Sequence, residues 1–217
     1  MTATLERPTT NTTHTATLTL ISLNHPKLRH IHSWTNQHTL HRAVMSFFPE
    51  SLPGTATQRR ATNNILHRYD TPTNRPARLL VQHSTPMLPK HTTDPHLQHA
   101  SLEPLLTTLH TGQEVRFRIV LNAVRSQNHS NTRIPITDPG ELATWGTTRL
   151  AKHGLRDVHL TDSPHTTLAR AKTPLWTAQY DGIARIRDTQ AIHDALLHGI
   201  GRSKAYGCGL LSLAPQT

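Results

Sequence analysis

The sequence predicts an α+β fold built from two small domains in tandem. Its second half reads as elements in the order β-α-β-β-α-β, and the first half begins with β-α-β-β. That order is typical of ferredoxin-like (RRM-like) domains, in which helices cover one face of an antiparallel sheet. The length of 217 residues suits two domains of about 100 residues each. We therefore expect two tandem ferredoxin-like domains, the first less regular than the second.

The first half begins with a strand and a helix that follow a threonine-rich tail. Residues 1–15 lack the apolar segment of a signal peptide and are expected to form a disordered tail. Thr alternates with Leu and Ile over residues 16–23, which is typical of a half-buried strand. The next apolar side chains recur at helical spacing, and Pro49 is expected to end that helix. They are Leu40, Val44, Phe47 and Phe48.

Two more strands and a connecting region complete the first half. Residues 65–69 and 78–83 predict strands that are joined by a turn-rich stretch. The N-terminal domain is therefore expected over residues 16–92. Prolines and scattered histidines weaken the pattern that follows, so residues 93–112 are interpreted as a linker with one short helix around residues 105–109.

The second half predicts a complete domain over residues 113–217. Asp138 before Pro139 marks the start of its first helix, and Asp188 is the expected cap of its second helix. The predicted strands are 115–124, 155–160, 175–187 and 210–213, and the predicted helices are 139–153 and 188–197.

Four glycines and two cations lie between the last predicted helix and the last predicted strand. Glycine tolerates positive φ, and the cations Arg202 and Lys204 favour an anionic partner. P-loop and dinucleotide sites place the glycines after a strand and before a helix, whereas the order here is reversed. Two interpretations therefore remain: a loop that binds a polymeric phosphate backbone, or a helix C-cap with two solvated cations. The glycines are Gly199, Gly201, Gly207 and Gly209.

The charge of the chain favours the first interpretation of this loop. The sequence has 23 Lys and Arg against 13 Asp and Glu, and its isoelectric point is about 10.8. A nucleic-acid partner fits this balance, although a membrane surface or an acidic protein would fit it too. Aromatic residues make up only 4% of the chain, which argues against stacking of successive unpaired bases. We expect recognition of the backbone and shape of a folded RNA or a duplex.

Cysteine content and hydropathy limit where the chain works. No apolar run reaches transmembrane length, so no membrane-spanning segment is expected. A membrane is not among the expected partners. The single Cys208 excludes an internal disulfide framework and is consistent with a reducing cytoplasm. Its expected role is that of a small apolar packing residue.

His41 is the main candidate for chemistry. It lies beside the apolar stripe of the first predicted helix, where a neutral imidazole could take a proton from a ribose 2′-hydroxyl. Arg42, Arg202 and Lys204 could then stabilise charge on the phosphate. The alternative is an ordinary exposed histidine, one of the 18 in the chain.

His38 and His41 also have a spacing that permits metal binding, but no carboxylate or cysteine lies near them, so no metal site is expected.

Taken together, the segment around His41, the basic strand and loop segments and the C-terminal glycine segment resemble the CRISPR-associated endoribonuclease CasE family. Members of this family are the crRNA-processing subunits of type I-E Cascade. The similarity covers nearly everything from Ala16 onward, and the C-terminal glycine segment is its most specific part. The segments that carry it are His38 to Arg42, Phe47 to Pro49, Val115 to Arg118, Arg133 to Pro135 and Gly199 to Pro215.

The resemblance implies cleavage of precursor CRISPR RNA at the base of the repeat hairpin, with no metal or other cofactor. The product would carry a 2′,3′-cyclic phosphate end. The catalytic histidine of the family corresponds to His41, and a tyrosine that assists catalysis in some relatives corresponds to His38. A lysine of some relatives is replaced by Ser46, so the general acid is unassigned. The main alternative function is a non-catalytic RNA-binding subunit. A further alternative is a zinc-dependent hydrolase.

The resemblance also implies which residues hold the RNA. The partners would be the CRISPR repeat stem-loop and other Cascade subunits. Besides the loop glycines with Arg202 and Lys204, the family pattern points to a basic helix and to a hairpin of the second domain. The corresponding residues are Arg149 and Lys152 on the helix and Arg170 and Lys172 in the hairpin, and Arg42 joins them beside the catalytic histidine.

Overall fold

The computed structural model describes residues 16–55, 58–71, 76–126, 133–169 and 174–216. The predicted disordered tail at residues 1–15 lies outside this part of the chain. No helix in these ranges is long and apolar enough to cross a membrane.

The first half of the chain forms a four-stranded antiparallel sheet with short helices around it. The strand order is β2-β3-β1-β4, and each neighbouring pair is antiparallel. The strands are β1 (Thr17–Ile21), β2 (Leu66–Asp70), β3 (Arg78–His83) and β4 (Leu97–Ser101), and the helices are α1 (Gln37–Met45), α2 (Arg59–Thr62) and α3 (Glu103–Thr108).

The second half forms a second antiparallel sheet with two longer helices. Its main order is β11-β5-β10-β8, with β9 paired to β10, and β6 and β7 form a separate hairpin. The strands are β5 (Glu114–Asn122), β6 (Val124–Ser126), β7 (Arg133–Pro135), β8 (Leu155–Leu160), β9 (Thr166–Ala169), β10 (Leu175–Ile186) and β11 (Ser212–Pro215), and the helices are α4 (Pro139–Ala151) and α5 (Thr189–His198).

Both sheets have the strand arrangement of a ferredoxin-like domain. In each of them the first strand lies in the centre, between the third strand and the last strand of the motif. The first half is the less regular one, since only a 3-10 turn at Pro89–His91 lies between β3 and β4. The predicted fold of two ferredoxin-like domains is confirmed.

The structure corrects the predicted linker. Residues 97–101 form β4, which pairs with β1 along its whole length, so residues 93–112 contain a strand of the first sheet as well as α3. Only Leu97 of this strand is buried. The apolar alternation that marks a half-buried strand is therefore absent from its sequence.

Several other predicted boundaries shift by one or more residues. The first helix begins at Gln37 because the side chain of Asn36 accepts a hydrogen bond from the amide of Thr39 at 3.2 Å. It ends at Met45, and Phe47 and Phe48 are buried beyond it. The last strand begins at Ser212 instead of residue 210.

The caps of the second half agree with the sequence. Asp138 accepts a hydrogen bond from the amide of Glu141 at 2.7 Å, and Asp188 accepts one from the amide of Ala191 at 3.0 Å. The short strands β6, β7 and β9 were missed.

A separate apolar cluster joins the two halves. Each sheet packs on its own core, while Leu66 and Leu80 of the first sheet contact Leu210 just before β11. Cys208, two residues before Leu210, is also buried, and burial raises the pKa of its thiol to about 12. It is therefore a packing residue, as the sequence predicts.

A buried ion pair reinforces this junction. Arg68 is 2% exposed, and its guanidinium donates to both carboxylate oxygens of Asp70 at 2.6 and 3.1 Å. The same guanidinium crosses to the second half, where it donates to the carbonyl of Leu210 at 2.8 Å, the carbonyl of Arg118 at 3.2 Å and Oγ of Ser212 at 3.0 Å. One side chain of β2 thus holds the start of β11.

We expect Arg68→Ala to lower the free energy of unfolding by about 3–5 kcal/mol, because it leaves the buried Asp70 carboxylate without its main partner. Arg156→Ala is the control. Arg156 is about half exposed and paired with Asp157, so its loss should change stability by less than about 0.5 kcal/mol. Urea unfolding of both variants checks this, and equal effects would contradict the assignment of Arg68 to the junction.

Candidate functional site

Helix α1 places His41 at the edge of the first core. Leu40, Ala43 and Val44 are buried against that core. His41 lies on the neighbouring flank of the helix, where its ring is half-buried. One side of the imidazole is therefore packed against the protein, and the other side is accessible.

His41 lines a cavity of about 610 Å³. Four cations and one carboxylate border it, so the cavity is electropositive. The second half of the chain contributes Ala205 of the glycine-rich loop, which we define as residues 199–211 between α5 and β11. The charged residues are Lys27, Arg42, Arg59, Arg60 and Glu50.

The environment lowers the pKa of His41. Burial contributes most, followed by the charges of Arg60 and His38. Each disfavours the imidazolium form. His41 is therefore neutral at pH 7, which is the state that can accept a proton.

The glycine-rich loop covers this helix from the second half. Its 3-10 turn at Lys204–Tyr206 packs against both α1 and β2. The Tyr206 ring lies edge-on to the His41 ring, with the centroids 6.2 Å apart. All four loop glycines have positive φ, as the sequence predicts. At Gly207 a Cβ would lie 3.0 Å from Oε1 of Gln37, so the loop passes close to the side chains of α1.

The two cations of the loop take different positions. Nζ of Lys204 donates to the carbonyl of His198 at 2.8 Å, where it caps the end of α5. Burial and the charge of Arg60 lower the pKa of Lys204. Arg202 is exposed and lies away from the cavity. The C-cap interpretation therefore describes Lys204, whereas Arg202 belongs to a second basic site.

That second site is a pocket of about 280 Å³, which we call the arginine pocket. Arg149 stacks over Trp145 at 5.1 Å from the ring centroid, and Nε of Arg125 lies 3.3 Å from Oε1 of Glu141. Arg133 and Arg202 have no carboxylate partner within the described ranges. Four arginines around one small pocket make it electropositive. They are Arg125, Arg133, Arg149 and Arg202.

The remaining residues that the sequence predicted for the site lie in different places. Arg42 lines the cavity, and Lys152 lines a groove beside Arg149. His38 is exposed and does not line the cavity, although its charge reaches His41. Arg170 and Lys172 lie outside the residues that the structure describes.

Sequence reasoning missed several basic residues of these two sites. Lys27 follows Pro26 in a 3-10 turn, and Arg59 and Arg60 lie on the four-residue helix α2. In the sequence, only the adjacent pair Arg59-Arg60 could have indicated a basic site. No periodicity links Lys27, Arg59 or Arg60 to His41. The arginine pocket adds Arg125 and Arg133, which are brought together by the hairpin of β6 and β7.

A buried histidine pair beside Lys27 fixes the position of that residue. His25 Nδ1 accepts a hydrogen bond from the amide of Lys27 at 3.0 Å, so the neutral ring carries its proton on Nε2. That nitrogen lies 3.0 Å from Oδ2 of Asp94, and Nδ1 of His91 lies 3.3 Å from the same oxygen. These ligand-type atoms lie within 4.8 Å of one another. The tautomer of His25 fits a hydrogen-bonded cluster better than a metal site.

Comparison with known proteins gives the family. A family model described as CRISPR-associated protein matches residues 18–215. The chain belongs to this CRISPR-associated protein family. The resemblance read from its sequence is thereby confirmed.

The relatives of this CRISPR-associated protein agree with that assignment. It is 29% identical over 121 residues to the CRISPR system Cascade subunit CasE of Escherichia coli K12, an alignment that spans 49% of this chain and 61% of the relative. The fold matches Thermus thermophilus Cse3 bound to an RNA that represents a pre-cleavage complex. The TM-score is 0.72 at 23% identity, and the match covers 93% of this chain and 100% of the other.

A second structural match comes from a larger assembly. A chain of a CRISPR RNA-guided surveillance complex in a pre-nicking state is 28% identical, with a TM-score of 0.63. The match covers 91% of this CRISPR-associated protein and 99% of that chain.

We expect Arg60→Gln to raise the pKa of His41 toward its ordinary value, because removal of a nearby cation favours the imidazolium form. Arg59→Gln is the matched control, since Arg59 lines the same cavity but is not among the charges that lower this pKa. An NMR titration of the His41 ring protons in the three proteins measures the effect. An unchanged pKa in Arg60→Gln would contradict the electrostatic assignment.

Proposed function

We propose that the protein is an endoribonuclease that cleaves precursor CRISPR RNA at the repeat hairpin, without a metal ion. The observation that carries this proposal is a neutral, half-buried histidine at the edge of a cavity bordered by four cations. A base beside concentrated positive charge suits attack at a phosphodiester, since charge develops on the phosphate oxygens in the transition state.

The relatives support the choice of RNA and of partners. Cse3 is named an endoribonuclease and is bound to RNA, CasE is named a Cascade subunit, and a further match lies in an RNA-guided surveillance complex. We infer that this chain acts on a CRISPR repeat stem-loop, assembles with other Cascade subunits and works in the cytoplasm.

The reaction needs one base and stabilisation of charge. Neutral His41 takes the proton from a ribose 2′-hydroxyl, and that oxygen attacks the adjacent phosphorus. The bond from phosphorus to the 5′ oxygen then breaks, which leaves a 2′,3′-cyclic phosphate and a 5′-hydroxyl. Lys27, Arg42, Arg59 and Arg60, which line the cavity, would stabilise the phosphate charge. His38 is the candidate donor of the proton that the 5′ oxygen requires.

The glycine-rich loop provides a route for RNA between the two basic sites. Ala205 borders the cavity, and Gly201 with Arg202 borders the arginine pocket. We infer that the RNA backbone follows this loop, with its glycines allowing close approach, from His41 in the N-terminal domain to Arg149 and Lys152 in the C-terminal one. Arg170 and Lys172 extend this proposed surface by resemblance to the family.

A non-catalytic RNA-binding subunit is the second candidate function. The observations that favour it are Ser46 in place of a family lysine and the exposed position of His38, outside the lining of the cavity. Such a subunit would use the same basic surfaces for binding but would leave the RNA intact.

We expect His41→Ala to lower the single-turnover rate of hairpin cleavage by about 10²- to 10⁴-fold, because the general base is lost. RNA affinity should stay unchanged. His32→Ala is the control, an exposed histidine outside the cavity. Labelled repeat hairpin is incubated in EDTA and the product end is analysed for a cyclic phosphate. Tight binding without cleavage by the parent would indicate the non-catalytic subunit, and inhibition by EDTA would indicate a metal-dependent hydrolase.

We expect Arg133→Ala and Arg202→Ala each to reduce the salt slope of RNA binding by about 1, because each removes one contact with a phosphate. The cleavage rate of saturated complexes should be unchanged. Arg156→Ala is the control, since Arg156 is already paired with Asp157 at 3.4 Å. Affinity is measured by fluorescence anisotropy over a range of salt concentrations. A slope equal to that of the parent would place the RNA elsewhere.

A further inference from the structure

Several buried polar atoms without partners lie behind His41. Nδ1 of His41, Oε1 of Gln37 and both ring nitrogens of His67 are buried, and none has a hydrogen-bond partner among the described residues. Buried polar groups are nearly always paired, because an unpaired one carries its full desolvation cost. Such a concentration at a candidate catalytic residue calls for a chemical role.

These atoms belong to two elements, α1 and β2, which meet beneath the glycine-rich loop. Gln37 and His41 lie one turn apart on α1, so their side chains share a face of the helix. His67 lies on β2 and is completely buried. Gly207 of the glycine-rich loop closes the space, since a Cβ there would lie 3.0 Å from Oε1 of Gln37 and 3.8 Å from Nε2 of His67.

The spacing fits a bridge by one water molecule. The ring centroids of His41 and His67 are 6.4 Å apart. Even ring nitrogens that pointed at each other would then lie about 4 Å apart, which is too long for a direct hydrogen bond. One water with two bonds of about 2.8 Å each can span that gap, and Gln37 and His67 give it further polar partners.

The acceptors of this group match the tautomer of His41 that the proposed reaction requires. If Nε2 is the base, Nδ1 must carry the proton and needs an acceptor. His67 and Oε1 of Gln37 provide acceptors on the buried side of the ring. We propose that His67 is a positioning residue, which together with Gln37 holds His41 through a buried water in the Nδ1–H tautomer and leaves Nε2 free to act as the base.

His67 can fill this role because it stays neutral. Burial, followed by the charges of His41 and Arg60, lowers its pKa to about 3. The groups that face it are His41 and Gln37 from α1, Arg60 from α2, and the turn with Tyr206 from the loop. A neutral His67 keeps its lone pair when His41 becomes an imidazolium, so it stabilises the protonated base instead of repelling it.

The first test does not depend on the reaction. The protein is labelled with ¹⁵N at histidine, and the His41 signals are assigned by their loss in His41→Ala. The ring nitrogen shifts then report the tautomer, and Nδ1–H is expected in the parent. A mixture of tautomers is expected in His67→Leu and in Gln37→Leu, while His67→Gln should keep the parent tautomer. An Nε2–H tautomer in the parent would overturn the proposal.

The second test uses cleavage and rests on the proposed function. In single-turnover assays with saturating repeat hairpin, we expect His67→Leu to lower the plateau rate about tenfold. The acid limb of its pH–rate profile should move to lower pH, because loss of an acceptor at Nδ1 disfavours the imidazolium form of His41. His67→Gln should restore most of the rate, since its amide can still accept a hydrogen bond.

The control and the outcomes separate the two proposals. His193→Leu serves as control, since His193 also has a buried unpaired nitrogen but lies on α5, and its profile should match the parent. If the parent cleaves with dependence on His41 and His67→Leu has the parent rate and acid limb, the positioning role is wrong. If the parent does not cleave, the proposed function is wrong and the tautomer still decides the role of His67. Should His67→Leu fail to fold, Gln37→Leu gives the same two readouts.

Discussion

The ion pair of Arg68 and Asp70 is the constraint on which the candidate site depends. Successive side chains of a strand point to opposite faces, so Leu66, Arg68 and Asp70 of β2 face the second half of the chain. His67 and Tyr69 face the first core and α1. The bonds from Arg68 to Leu210 and Ser212 fix the end of the glycine-rich loop. With its end fixed, the loop lies against α1, and Gly207 meets the side chains of Gln37 and His67.

The same arrangement explains the electrostatics around His41. Burial by the loop and the charge of Arg60 keep the imidazole neutral in the free protein. A bound phosphodiester brings negative charge into the cavity. This charge offsets the arginines and raises the pKa of His41 back toward its ordinary value. A base works best when its pKa is near the working pH. In the proposed reaction, substrate binding thus tunes the base that will act on it.

Much of this organisation follows from sequence patterns, but the assembly of the sites does not. The strands with clear alternation, the caps at Asp138 and Asp188, and the positive φ of the loop glycines were all predictable, because each depends on neighbouring residues. The edge strand β4 was not, since four of its five residues are exposed. His67 and Arg68 look like ordinary strand residues. The role of Arg68 depends on Leu210 and Ser212, more than a hundred positions away, and that of His67 depends on a helix from another part of the first half. Lys27, Arg59 and Arg60 reach the cavity from separate turns, which no local pattern connects.

In the proposed function, the division of the loop cations assigns RNA holding and cleavage to different parts of the molecule. Lys204 is engaged with the end of α5, and Arg202 faces the arginine pocket, so neither is committed to the cavity. Charge at the cavity comes from the first half instead. An RNA held in the arginine pocket would keep most of its phosphate contacts after the bond beside His41 is broken, because those contacts do not involve the scissile group. Under the proposed function, these contacts therefore favour retention of the product after cleavage.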